Sequence, residues 1–301
     1  MKLGLGTVQF GLDHYGISNV WGKPGPEEVD RILGVARAAG VQVLDTAHAY
    51  GDSETVLGRC LSAEHPFRIV TKTVPLDTDR VTAADVQRVI DAFRVSLDRL
   101  RQPRVYGLLT HHARNLLAAG GERLMEALAA LRTQGLVQKV GVSVYDQSEL
   151  DAVLDRFPVD IVQLPFNVLD QRLLAGGALE RLKRAGVEVH ARSVFLQGLL
   201  LMEPDGLDAH FHAARDPLRR LHAFAQARGR TPLETALHFV ADRDEIDCAV
   251  IGVARHEELE DIVAACRGHA TAEDYSGFAV HDEAVLNPAL WPPTSRHDTQ
   301  H

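Results

Sequence analysis

The chain has 301 residues, 46% hydrophobic and 24% charged, enough to bury a large core in one α/β barrel or in two smaller domains. A net charge of −9 excludes the clustered Lys and Arg footprint of a nucleic-acid or anionic-membrane binder, and no apolar run nears the roughly twenty residues of a membrane span. Cys60, Cys248 and Cys266 are scattered, odd in number and without CxxC spacing, so they are expected to be reduced thiols of a cytoplasmic protein, in neither a disulfide framework nor a zinc site.

In chain order, Lys2 to Thr7 predicts a first strand, opening without a signal-peptide core, and Glu27 to Ala39 an amphipathic helix stopped by Gly40. Val41 to Asp45 and Arg68 to Lys72 predict strands two and three around a helix from Glu54 to Leu61, for which Ser53 is the expected cap. Ala84 to Leu100 carries Val86, Val89, Ile90, Phe93, Leu97 and Leu100 on one helical stripe. Strand four follows at Val105 to Thr110, a helix at Glu122 to Thr133, and strand five at Lys139 to Ser143. The second half alternates likewise, with helices at Ser148 to Phe157 and Ala178 to Ala185 and strands at Ile161 to Leu164 and Val187 to Ala191. The segment from Phe195 to Arg215 is too long for an ordinary connection and is a candidate lid. Helical patterns resume at Pro217 to Arg228 and Pro232 to Ala241. Cys248 to Ile251 is an eighth strand, and His256 to Ala265 a last helix.

Eight strands alternating with helices and no composition break fit a single (β/α)8 TIM barrel over 1–290, with 291–301 as a tail, better than a doubly wound sheet. Gly4-Leu5-Gly6 resembles the start of a dinucleotide fingerprint, but Gln9 stands where its third glycine belongs and no helix pattern begins there.

In such a barrel the C-terminal strand ends meet in one mouth. Here they carry Asp45, Lys72, His111 with His112, Ser143, Arg192 and Gly252, with Gln163 inside strand six. A lysine in that position needs a carboxylate, and Asp45 on the neighbouring strand is placed to supply it. Tyr50 has an ordinary pKa of about 10, so proton exchange near neutrality needs a nearby cation; Lys72 is expected to lower it. A histidine after strand four would hydrogen-bond a substrate oxygen, and His48 and Arg192 would add donors for a polyol. The other histidines show no metal-ligand spacing, so no metal is expected.

These residues resemble those of the aldo-keto reductase family. The matching pieces are Leu3-Gly4-Leu5-Gly6-Thr7, Asp45 to Glu54, Val70-Thr71-Lys72, Leu108-Leu109-Thr110-His111, Val140-Gly141-Val142-Ser143, Val162-Gln163, Ser193 to Leu199 and Val250-Ile251-Gly252. Each is short, yet together they follow the family's order across nearly the whole chain. The resemblance implies an NAD(P)(H)-dependent oxidoreductase that moves hydride between nicotinamide and the carbonyl or alcohol of a small aldehyde, ketone or sugar. It further implies a catalytic tetrad of Asp45, Tyr50, Lys72 and His111, with Tyr50 as general acid and base. Ser143 and Gln163 match the residues that hold the nicotinamide carboxamide, with Asn167 nearby, and the remaining cofactor contacts fall on Arg192, Ser193, Gly198, Gly252, Arg255, Glu258 and Asp261.

Two positions depart from the family pattern. Arg192 stands where many members stack an aromatic ring on nicotinamide, and its guanidinium suits either stacking or an anionic group. Glu258 replaces the arginine that often holds a 2′-phosphate, and Ile262 the usual asparagine. NADP(H) is slightly favoured on family habit over NAD(H). The expected partner is a small carbonyl or polyol, and the chain a monomer or small homo-oligomer. Two other classes compete: a non-catalytic nicotinamide-nucleotide-binding regulatory subunit, and a cofactor-independent barrel isomerase or aldolase using Lys72.

Overall fold

The computed structural model of the chain describes residues 2–62, 64–267 and 273–292. Its parallel strands are β1 (Lys2–Gly6), β2 (Val43–Asp45), β3 (Arg68–Lys72), β4 (Val105–Thr110), β5 (Val137–Ser143), β6 (Ile161–Pro165), β7 (Glu188–Arg192) and β8 (Cys248–Gly252). They pair in chain order and β8 returns to β1, closing a (β/α)8 barrel. The helices outside it are α1 (Pro26–Ala38), α2 (Ser53–Cys60), α3 (Ala83–Leu100), α4 (Ala113–Leu117), α5 (Gly121–Thr133), α6 (Gln147–Leu154), α7 (Arg172–Ala175), α8 (Ala178–Arg184), α9 (His212–Gln226), α10 (Pro232–Ala241), α11 (His256–Ala265) and α12 (Glu283–Leu286). Among the described residues, no helix is long and apolar enough to cross a membrane.

Strands covered on both faces read as apolar runs, and every residue of β6 is buried. Period-two alternation then sorts them. Val43, Val70, Leu109, Ile161, Cys248 and Val250 form an apolar cluster inside the barrel, separate from the larger shell between strands and helices. One step towards the C-terminal ends the same alternation carries Asp45, Lys72, Ser143, Gln163 and Arg192. At the opposite end Glu188 accepts hydrogen bonds from Lys139 at 2.5 Å and Tyr106 at 2.6 Å and lies 2.7 Å from Nε2 of buried His190.

Helix starts follow their local chemistry. Thr82 and Asp85 form a capping box on α3, and Thr231 and Glu234 one on α10, which Pro232 opens. α2 differs from its predicted start. It begins at Ser53, whose hydroxyl caps nothing: it donates to the Thr7 carbonyl at 2.8 Å, and that bond ties the β2–α2 turn to the end of β1. α9 begins at His212, five residues before Pro217, which sits inside the helix.

The segment from Phe195 to Arg215 is not an open loop. It contains three short 3-10 turns and seats Leu196, Leu199, Leu200, Leu207 and Phe211 in the core. The tail predicted from 291 is also tied down at its first residue: Trp291 Nε1 donates to the Val285 carbonyl at 3.0 Å, and its ring meets Phe211 edge-on. Positions 293–301, with His297 and His301, lie outside the described residues. α4, α7 and α12 have four or five residues each, too short for a periodic pattern to reveal.

Candidate active site

A cavity of about 560 Å³ opens among the C-terminal strand ends and runs to the start of α11. Parallel register brings its floor together, with Asp45 opposite Gly6 and Val70, and Ser143 opposite Gln163. Lys72 Nζ donates to both Asp45 oxygens, at 2.9 and 2.7 Å, and to the Thr46 carbonyl at 2.9 Å. From the other wall Gln163 Nε2 reaches Asp45 Oδ1 at 2.7 Å. Asp45, Lys72 and Gln163 are all buried, and each charge of the pair has a partner.

Tyr50 lies over this pair, with Lys72 Nζ 4.9 Å from its ring centroid and His111 edge-on at 5.9 Å. Its placement depends on Gly11. A Cβ there would come within 1.8 Å of the Tyr50 carbonyl oxygen, so only a residue with no side chain lets the turn sit where it does. Contrary to the predicted downward shift, burial pushes the Tyr50 phenol up, and the Asp45 carboxylate adds to the rise. Lys72 is already committed to Asp45, and burial draws its own pKa down. The phenol is therefore a neutral proton donor at physiological pH.

His111 takes a backbone hydrogen bond from its N–H to Thr73 Oγ1 at 3.2 Å and stacks on His112, which lies outside the cavity wall. Burial, then the charges of Lys72, His112 and Arg192, hold the His111 imidazole down to about 3, so it is neutral. Its Nδ1 is buried without a protein partner.

The predicted cofactor contacts divide into two groups. Ser143, Gln163, Arg192, Ser193, Gly198, Gly252, Glu258 and Asp261 line the cavity. Gly198 has φ of +94°, and a Cβ there would lie 1.8 Å from Ser18 Oγ, so the β1–α1 loop and the segment after β7 meet only across a glycine. Arg255 does not line the cavity; it pairs with Glu257 and Glu28 and covers the Trp21 ring. Asn167 does not line the cavity either; it is buried, and its Nδ2 donates to the Ser193 carbonyl at 3.1 Å. His48 points away from the mouth, towards Ser96 on α3 at 3.2 Å, and so offers no donor to a polyol.

Sequence reading missed Tyr15, Tyr145, Gln9 and Asn19, all on the cavity wall. Burial raises the Tyr15 phenol to about 12. Three of them lie on the long β1–α1 connection, and position on that face of the barrel was the available signal. α11 begins at His256, as its pattern predicts, and its first amides are already taken. Glu258 Oε2 accepts from the Ala254 and Arg255 N–H groups at 2.8 and 3.2 Å, and Glu28 on α1 accepts from the His256 N–H at 2.7 Å. Against the upward push of burial, His256 and Arg255 hold Glu28 at about 2. Two carboxyl side chains thus occupy amides that would otherwise attract an anion.

The profile of the aldo/keto reductase family matches residues 2–283. An aldo-keto reductase from Mycobacterium sp. (strain KMS) is 30% identical over 210 residues, spanning 67% of this chain and 72% of that protein. L-galactose dehydrogenase from Arabidopsis thaliana is 26% identical over 300 residues and 92% of each chain. Among solved structures, the glycerol dehydrogenase of Gluconobacter oxydans aligns with a TM-score of 0.72 at 20% identity, covering 98% of this chain and 94% of that one, a likeness of fold. With the closed barrel and the family profile spanning nearly all of it, the chain belongs to the aldo/keto reductase family.

Proposed function

We propose that the protein is a nicotinamide-dependent reductase or dehydrogenase of small polyhydroxylated carbonyls, with Tyr50 as the proton donor and acceptor. The observation that carries the reading is the buried Asp45–Lys72 pair under a phenol that burial keeps protonated, beside a neutral imidazole. A carbonyl oxygen between Tyr50 and His111 would receive a hydrogen bond from each while negative charge develops on it, and Tyr50 would deliver its proton. Lys72 then faces the nascent phenolate, which it stabilises without moving. In the oxidative direction the phenolate takes the alcohol proton.

The cavity suits the cofactor that the family implies. It is long, extending from Tyr50 to Glu258, and its wall carries a buried acceptor, Gln9 Oε1, with no protein partner. When bound, nicotinamide supplies or accepts the hydride. Ser143 and Gln163 would hold its carboxamide; with Nε2 given to Asp45, Gln163 keeps Oε1 as an acceptor. Ser193, Gly198 and Gly252 would flank the rest. At the far end Glu258 and Asp261 face the cavity while Arg255 is turned away, which favours a ribose hydroxyl over a phosphate and so NAD(H) over NADP(H). The sugar in the name of the L-galactose dehydrogenase relative supports the substrate class.

The test is oxidation of NADH and NADPH with a panel of hydroxyaldehydes and hydroxyketones, in the parent and in Tyr50→Phe. Loss of about two to four orders of magnitude in kcat with cofactor affinity kept is expected of the variant, the usual range for a general acid. Parent-like turnover by Tyr50→Phe would remove Tyr50 from the role.

A further inference from the structure

We propose that the substrate carries a negative charge, a carboxylate or phosphate recognised by Arg192, which refines the reading of the same site given above. The inference begins from the charges that face the mouth. Lys72 and Asp45 cancel, and Gln163 completes the carboxylate's hydrogen bonds. His111 is neutral, and burial also lowers His112. Glu149, which feels the Arg192 charge without forming an ion pair with it, accepts the Tyr145 N–H at 2.7 Å.

Arg192 remains. Among the described residues its side chain meets the Val144 carbonyl at 3.2 Å, Ser193 Oγ at 3.4 Å and the Tyr145 ring, with Cζ 4.3 Å from the centroid, and no carboxylate within ion-pair distance. Its charge bears on Tyr15, Tyr50 and His111, so it stands close to the reacting end. A guanidinium has five N–H donors in a planar fork. Val144 and Ser193 engage at most two here, and the aromatic shelf fixes the plane, so a planar or tetrahedral oxyanion meets a preoriented receptor. A neutral polyol would leave the remaining N–H donors of the fork without an anionic acceptor, a poorer match than an oxyanion.

The experiment uses matched pairs: glyceraldehyde 3-phosphate against glyceraldehyde, and succinic semialdehyde against butanal. For the parent, kcat/KM is expected to be at least tenfold higher for the charged member of one pair, and which pair responds distinguishes phosphate from carboxylate. In Arg192→Gln that ratio should collapse towards one through KM of the charged substrate. Arg192→Lys, which keeps the charge and loses the fork, should retain part of it. Cofactor affinity, read by fluorescence titration, separates a cofactor-ring role. A parent ratio near one in both pairs, or an equal loss on charged and neutral substrates in Arg192→Gln, overturns the proposal. Thermal unfolding of the cofactor-loaded protein gives a readout without turnover. Glycerol 3-phosphate or succinate should raise Tm and glycerol should not, and Arg192→Gln should abolish the difference. If no carbonyl is reduced yet this Arg192-dependent shift appears, the redox reading fails and the anion site stands; if neither anion shifts Tm, the anion site fails.

Discussion

Replacing Lys72 by Met tests whether the floor of the mouth is held by charge or by shape. The side chains are of similar length, so packing changes little, but the Asp45 carboxylate loses a donor at 2.7 and 2.9 Å and keeps only the Gln163 amide. Breaking a buried pair from one side costs about 3–5 kcal/mol, because a charge is left without compensation. Protonation caps the loss: neutralising an aspartate of ordinary pKa about 3.9 takes about 4 kcal/mol at pH 7 and about 1.5 kcal/mol at pH 5. The destabilisation should therefore be near the upper figure at pH 7 and shrink by more than half at pH 5. Asp45→Asn combined with Lys72→Met should recover most of it. Urea unfolding followed by far-ultraviolet circular dichroism at both pH values reads all three variants. A loss below 1 kcal/mol at pH 7, or one that does not change with pH, would show that the pair is not the uncompensated-charge problem described.

Three further outcomes are expected. Gly11→Ala should lower kcat/KM about 10- to 100-fold, since its Cβ would press on the Tyr50 carbonyl and Ser53 N–H and displacement of the proposed proton donor by about 1 Å has effects of that size; parent-like kinetics would refute the close approach. Glu258→Arg removes the acceptor from the Ala254 and Arg255 amides and should move the ratio of NADPH to NADH dissociation constants at least tenfold towards NADPH, so an unchanged ratio would take this position out of cofactor choice. Against the upward push of burial, His190, Lys139 and Tyr106 hold Glu188 at about 2, below the ordinary 4.5. The depressed folded-state value means its contribution is present above pH 4.5 and lost as pH falls towards 2, so Glu188→Gln should lose less stability than the parent between pH 5 and pH 3. Equal losses in urea midpoint would exclude it.

Strand ends were legible in the sequence because alternation and position act together. A charged residue two steps beyond an inward valine must stand in the mouth, as Asp45 does after Val43 and Lys72 after Val70. Loops obey no such period. Tyr15 reaches the cavity through a turn-rich connection whose path is set by contacts with the segment after β7, such as the Ile17 N–H to Gln197 carbonyl bond at 3.1 Å. Direction was equally hidden at His48, beside the site in sequence and turned to α3 in space. The predicted fall in the Tyr50 pKa failed for a related reason: the cation and its pairing with Asp45 were foreseeable, but not that burial of the phenol, with the Asp45 charge added, would outweigh the cation.

The apolar cluster of Val43, Val70, Leu109, Ile161, Cys248 and Val250 lies between the Asp45–Lys72 pair above and the Glu188–Lys139–His190 group below. It is apolar but for the Cys248 thiol, whose upward shift by burial is increased by Asp45 on one side and Glu188 on the other. A substitution in the lower group therefore reaches the proposed site above through the packing of this layer. Two charge networks thus share eight strands on opposite sides of one layer of packed side chains.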